Sequence, residues 1–428
     1  MSEITSQLRA RLVGLSVSQL TYRNSIDLAG IVKRQGGTVV LGGHHATALA
    51  DRILRWQPDI DAVVVGDGEE SFAALAAGLS FEKVPNLVYR LPDGAIEWTE
   101  RRDVAPSSIP TPDRGFTSFE SYFANFRRQN PNKTFSRPFS IWTQKGCAWR
   151  DKSGGCSFCA RTDRGWRART PGSVWKEIET LCRSYGADYI WELSDDILSN
   201  PRWFDEFAKA KPTDLNPAFM FYARPMHVTV ESAESMARIG AYEVFIGVES
   251  GDDNVLRRAN RGCSTADNMR AVKLISGQGV KLFPSFVLGL EGETKESLRR
   301  TEEHLEAILG SSTVDTIAVC LMMPLPGSSA YEKLMSVPAV ACKYDETDYV
   351  PLPDLQREWL RHFCQVSFEE LEATRERMVS HVAVYSGMGV PVHAAHADPR
   401  VSAESCPGSC PDASQTAQNP LEEGRDGE

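Results

Sequence analysis

Three cysteines fall in the stretch GCAWRDKSGGCSFCAR, Gly146 to Arg161. Cys156 and Cys159 have C-x2-C spacing, and eight residues separate Cys147 from Cys156. Three thiols are an uneven set: structural zinc asks for four ligands and disulfides ask for pairs. Zinc stays open if His44 or His45 supplies a fourth ligand, although no H-E-x-x-H pattern accompanies the cysteines. An iron–sulfur cubane held by three thiolates leaves one iron without a protein ligand, free to bind a small molecule. A three-cysteine loop therefore suits reactive use, whereas a four-cysteine set suits electron transfer alone.

The other cysteines read differently. Cys182, Cys320, Cys342 and Cys364 sit in apolar or helical settings and read as buried thiols; Cys263, after RRANRG, reads as exposed. Cys406 and Cys410 form C-x3-C in a Ser/Pro/Ala tail without a packing pattern. Ten cysteines in 428 residues do not make a disulfide scaffold. The run RTDRGWRART brings Arg161, Arg164, Arg167 and Arg169 just after the third cysteine. It is either a solvated loop or a contact for a carboxylate or phosphate. With a net charge of −10 the chain is no general nucleic-acid binder. No apolar run is long enough to span a membrane, and the charged N-terminus does not read as a signal peptide, so the cytoplasm is the expected compartment.

Two α/β units must position these residues. Residues 1–100 alternate strand and helix: RLVGLSV, TVVLGGHH and DAVVVGDGEE are strands, each followed by a helical stretch. That order implies a Rossmann-like parallel sheet whose ligand edge is Ser16–Gln19, Gly42–Thr47 and Gly66–Glu69. PNLVYRLPDGAIEWTE reads as a hairpin turning at Pro92-Asp93-Gly94. Residues 101–138 form a Pro/Ser-rich linker whose aromatics imply packing. Six further strands, at 139–144, 187–194, 218–224, 241–249, 280–289 and 314–323, imply a partial or full β/α (TIM-like) barrel over 139–335, with its chemistry at the carboxyl strand ends. A helical segment at 336–394 and a disordered tail at 395–428 complete the chain.

The cysteine loop resembles that of radical S-adenosylmethionine (SAM) enzymes, whose usual pattern is C-x3-C-x2-C with an aromatic residue before the last cysteine. Phe158 holds the aromatic position; the eight-residue first gap departs from the pattern, and AWRDKSGG, polar and glycine-rich, is expected to loop out. AYEVFIGVESGDDNVLRRANRG, SFVLGLEGETKESL and MMPLPGSSAYEKL resemble the fourth, fifth and sixth barrel strands of the cobalamin-type branch. The resemblance implies a 4Fe-4S cluster on Cys147, Cys156 and Cys159. It also implies SAM held by Phe158, Asp195, Asp196, Arg224, Glu249, Ser250, Gly289 and Glu293, and an electron donor of the flavodoxin or ferredoxin type. Bland readings stand beside these: Asp195 and Asp196 as helix caps, Ser250 as a plain turn, Arg224 as a salt-bridge partner of Asp195 or Glu249. Glu249 on an apolar strand must be paired or face the mouth.

Residues 1–100 resemble a cobalamin-binding domain, with Ser16, Ser18, Gly42 and Gly43 lining the cleft. The first β/α unit and its Asp-x-His-x-x-Gly loop are not found, so a shortened domain is expected. The readings are a cobalamin-dependent radical methyltransferase, a cobalamin-independent radical epimerase, dehydratase or rearrangement enzyme, and a non-catalytic iron–sulfur or zinc scaffold. The substrate, a small molecule or a peptide, is not legible.

Overall fold

The computed structural model describes residues 11–131 and 133–386; the tail and its Cys406/Cys410 pair lie outside the described residues. The first sheet runs β1 (Leu12–Ser16), β2 (Thr38–Gly42), β3 (Ala62–Val64), β4 (Leu87–Arg90) and β5 (Ile96–Trp98), paired in that order. β1 to β3 are parallel, and the hairpin β4–β5 adds two antiparallel strands. Val39, Val40 and Leu41 on β2 are all buried because helices pack on both faces of the sheet, so this strand reads as a continuous apolar run.

The second sheet holds β6 (Pro138–Ile141), β9 (Tyr189–Glu192), β10 (Ala218–Ala223), β11 (Ala241–Glu249), β12 (Lys281–Leu288) and β13 (Ala318–Leu321), every pair parallel. It is a six-stranded half-barrel. Ile190, Phe219, Phe221, Val244 and Ile246 face the helical layer and form the larger core. Tyr189, Met220, Phe283 and Ala318 form a separate inner cluster, joined by Phe126 and Phe135. The expected linker is thus structural: it contains the helix Glu120–Gln129 and its aromatics pack in the half-barrel. The expected strand 139–144 ends at Ile141; Gln144–Lys145 (β7) instead pairs antiparallel with Arg167–Ala168 (β8). Among the described residues no helix is long and apolar enough to cross a membrane.

The N-terminal unit is tied to the chain after β13. Gln19 Nε2 donates to the Val350 carbonyl at 2.6 Å, and the Tyr22 hydroxyl donates to Asp348. The turn after β12 is tied to the C-terminal helices. The Gly289 carbonyl accepts from Trp359 Nε1 at 2.9 Å, and the Gly289 amide donates to Glu293 Oε2 at 3.2 Å. Glu293 is fully buried, and burial pushes its carboxyl up to about 7 against hydrogen bonds from Ser297 and Gly289.

A carboxyl raised in the fold favours the protonated folded state. Its stabilisation is complete below the ordinary 4.5 and is lost as pH rises through about 7. At 1.36 kcal/mol per pH unit the loss is about 3 kcal/mol. Urea unfolding at pH 5 and pH 8 is expected to show this slope in the native protein and a flatter one in Glu293→Gln.

Candidate active site

The ribbon β7–β8 closes the neck of the cysteine loop. Gly146 stands at φ 81°, and a Cβ there would lie 2.2 Å from the Gly165 carbonyl oxygen, so only glycine fits the neck. The eight inserted residues do not loop out. Six of them form a short helix, Ala148–Ser153, ended by left-handed Gly154. Trp149 Nε1 donates to the Asn260 carbonyl at 2.8 Å, and Asn260 Nδ2 donates to the carbonyls of Ser153 at 3.0 Å and Gly155 at 2.7 Å. The segment after β11 therefore holds the insertion against the barrel mouth.

Cys147, Cys156 and Cys159 line one cavity of about 190 Å³ at the carboxyl ends of β10 and β11. All three are free thiols, the first two buried. Arg224 Nη1 lies 3.0 Å and Arg261 Nη1 3.2 Å from Cys156 Sγ, while Arg150 Nη2 lies 2.9 Å from Cys159 Sγ. Burial pushes the Cys156 thiol up, but the charges and hydrogen bonds of Arg261 and Arg224 outweigh it and hold the thiol below its usual range. Cys147 has no such guanidinium bond among the described contacts, and burial raises its thiol.

Glu249 ends β11 at φ 65°, beside a register shift at Gly247. A left-handed non-glycine residue is strained, and the bulge re-aims its side chain into the cavity. Its Oε1 lies 3.3 Å from Arg261 Nη2. Burial raises the Glu249 carboxyl, opposed by Arg261 and Arg224. Asp195 also lines the cavity, 3.2 Å from Arg161 Nε and 3.8 Å from Arg150 Nη1; burial raises it against both arginines.

Of the expected site residues, the three cysteines, Phe158, Asp195, Arg224 and Glu249 meet in this cavity. Others have structural partners outside it. Asp196 caps the turn Ile197–Ser199 and lies 2.6 Å from His227 Nδ1. Ser250 bonds Thr301, and Gly289 and Glu293 serve the β12 turn. Arg224 pairs with Cys156, not with Asp195 or Glu249. Three of the four clustered arginines are used within the fold: Arg161 on Asp195, Arg167 on Asp67 at 2.6 Å, and Arg169 on Glu177 at 2.5 Å. Cys342 is exposed, and Cys263 only partly so. Arg150 and Arg261 belong to the site without having been singled out from sequence.

The donor set fits a thiolate-bound cluster. Three free cysteines line one cavity, guanidiniums lie against the sulfurs of Cys156 and Cys159, and Nε of Arg224 and of Arg261 are buried without a hydrogen-bond partner. Among the described residues no three His, Cys, Asp or Glu side chains converge on a point that would hold one metal ion. His44 is engaged with Thr162 and Arg161, each at 3.1 Å, and His45 is buried against Tyr22, so neither completes a zinc site.

A second cleft, of about 510 Å³, opens at the carboxyl edge of β1–β3. Ser16, Gly42 and Gly43 line it, with Asp67 and Glu69; Ser18 does not, and bonds Thr21 instead. Its opposite wall is Lys145, Thr162 and Asp163, from the cysteine loop and its neck. Asp67 accepts from Lys145 Nζ at 2.9 Å and Arg167 Nη1 at 2.6 Å, which lowers its carboxyl although burial acts the other way.

A family model of the radical SAM superfamily matches residues 143–305, and one of the B12 binding domain matches residues 1–76. An uncharacterized methyltransferase of Pyrococcus horikoshii is 24% identical over 345 residues, 78% of this chain and 71% of the relative. Anaerobic magnesium-protoporphyrin IX monomethyl ester cyclase of Rubrivivax gelatinosus is 26% identical over 278 residues, 61% of this chain; the match spans only 47% of the cyclase. The cobalamin-dependent SAM radical enzyme OxsB, solved with aqua-cobalamin and SAM, superposes with a TM-score of 0.65 at 15% identity, covering 90% of this chain and 64% of its own. The radical SAM methyltransferase TsrM from Kitasatospora setae, with cobalamin and a [4Fe-4S] cluster, gives 0.60 at 20% identity, covering 78% and 69%. At these identities the structural likeness establishes the fold.

The insertion's seat is testable. Gly262 stands at φ 67°, and a Cβ there would meet the Trp149 ring at 2.3 Å. Gly262→Ala is expected to displace Trp149 and cost about 1–3 kcal/mol, the usual penalty of overpacking, read as a lower Tm and as faster alkylation of Cys156.

Proposed function

This chain is a radical SAM protein with a B12-binding domain, and from that premise we propose that it transfers a methyl group from cobalamin to a carbon of its substrate. The family implies a 4Fe-4S cluster, SAM and a reductant. When bound, these groups supply one-electron cleavage of the SAM sulfonium, a 5′-deoxyadenosyl radical that abstracts hydrogen, and a methyl donor. In this reading Cys147, Cys156 and Cys159 ligate the cluster. Asp195 and Glu249, on the cavity wall, accept hydrogen bonds from the amino group and ribose hydroxyls of SAM. Phe158 and the rings of Tyr222 and Phe245, which also line the cavity, exclude water from the reacting carbon. Ser16, Gly42 and Gly43 let the cobalamin tail approach the backbone. The proposed compartment is the cytoplasm, and the proposed electron donor is a flavodoxin or ferredoxin.

One observation carries the reading. The segment that bears the cysteines also walls the N-terminal cleft through Lys145, Thr162 and Asp163. A group seated in that cleft would lie beside the cluster loop. The relatives named as methyltransferases support the same outcome. A cobalamin-independent radical reaction is the second reading. The cleft volume favours it, since about 510 Å³ lies in the range of ordinary small-molecule pockets.

Anaerobic reconstitution with iron, sulfide, SAM, a reductant and cobalamin separates the two. Cobalamin that stays with the protein through gel filtration is the expected result; a protein that holds iron and sulfide but releases cobalamin supports the second reading. Zinc without iron in an anaerobic preparation would sink both. Cys147→Ala is expected to lose the cluster's visible absorbance and all 5′-deoxyadenosine formation. A Cβ at Gly42 meets nothing within 4 Å and Gly42 lines the cleft, so Gly42→Val puts its side chain where the cofactor tail would lie. It is expected to weaken cobalamin retention at least tenfold while iron and sulfide content stay unchanged.

A further inference from the structure

Cys156 is bonded unlike its two partners. Two guanidiniums converge on its sulfur, from Arg224 at the end of β10 and from Arg261 after the helix Asp253–Arg258. Both arginines are buried, with exposures of 6% and 4%. The Trp149 ring lies 5.3 Å from the Arg224 guanidinium, and the Phe158 ring 6.0 Å from that of Arg261. Rings in these places keep water out, and a charge pair strengthens as the local dielectric falls. Arg224 Nη2 is fixed on the Arg261 carbonyl and Arg261 Nη2 on the Gly247 carbonyl at 2.6 Å, so neither fork swings away from the sulfur. Such placement exceeds what holding a fold requires, because Arg224 has no carboxylate within salt-bridge distance among the described residues.

We propose that Arg224 and Arg261 are positioning residues that raise the reduction potential of the cluster by donating hydrogen bonds to the Cys156 thiolate. The inference rests on the cluster reading given above. Reduction adds one electron from a low-potential donor, breaks no bond and places the added negative charge on the irons and their sulfurs. Fixed donors stabilise that added charge more than the oxidised state, and hydrogen bonds to the sulfurs are one of the terms that set cluster potentials. Arg224→Gln removes one cationic donor and orphans no carboxylate. It is expected to lower the equilibrium constant for reduction about tenfold, 59 mV for a one-electron couple. Arg261→Gln alone would strand buried Glu249, so the second variant is the double Arg261→Gln/Glu249→Gln, read against Glu249→Gln alone so that the loss of the carboxylate cancels, and its potential is expected to lie below that reference.

The test is an EPR-monitored potentiometric titration of the reconstituted protein with titanium(III) citrate, without SAM, so that loss of SAM binding does not enter. Iron and sulfide content and circular dichroism are measured on the same samples. A lower midpoint in both variants, each against its reference, at full iron and sulfide content supports the proposal. An unchanged or higher midpoint overturns it while leaving the radical SAM reading intact. Loss of the cluster from a variant that keeps its fold also overturns it, because the arginines would then serve assembly. Absence of any cluster from the native protein would instead be the failure of the function proposed above.

Discussion

Two guanidinium groups lie buried at the barrel mouth, and burying a charge is costly unless an opposite charge and hydrogen bonds accompany it. Arg261 has Glu249; Arg224 has no carboxylate within reach among the described residues. The second anion is the Cys156 sulfur, which both arginines approach within 3.2 Å. The charges balance only when that sulfur is a thiolate, the form in which cysteine binds metal. The pair thus favours the form of Cys156 that ligation would require, and it accounts for the carboxylate that Glu249 brings to Arg261. The bulge at the end of β11 brings a carboxylate to Arg261 where a regular strand end would turn it elsewhere.

The same economy joins the two sheets. Asp67, at the carboxyl end of β3, takes Lys145 from β7 and Arg167 from β8, one residue from each strand of the ribbon that closes the cysteine loop. It also accepts the Val104 amide at 2.9 Å. One buried carboxylate therefore holds the linker, both sides of the loop's neck and the edge of the N-terminal cleft. The relative placement of cleft and cluster loop depends on this carboxylate, and the cofactor reading depends on that placement.

The strands of both sheets were legible because strands covered on two faces are rich in apolar residues, as VVL of β2, VFIGV within β11 and FVL at the end of β12 are. The cysteines were legible by spacing. What the sequence concealed were residues whose meaning is set by burial. RRANRG looks like a solvated polar turn, yet Arg261 within it is among the most enclosed charges. Asp195 and Asp196 are adjacent and chemically identical; one lines the cavity and the other caps a turn, a difference decided by backbone geometry at a strand end. The helix Ala148–Ser153 is too short to carry a period, so its composition suggested a loop.

The eight-residue gap, the part of the motif that departs most from the usual spacing, acquires a physical role from this placement. A three-residue gap has no room for a helical turn. The longer gap supplies one, and with it Arg150, which reaches both Cys159 and Asp195, and Trp149, whose ring shields Arg224 from water. The insertion returns to the site a cation and a hydrophobic cover. The insertion thereby gives Cys159 a guanidinium, as Arg224 and Arg261 give Cys156 two, while Cys147, at the foot of the insertion, has none bonded to it among the described contacts. The cavity is electrostatically uneven, with its guanidiniums at the sulfurs of Cys156 and Cys159 and not at that of Cys147.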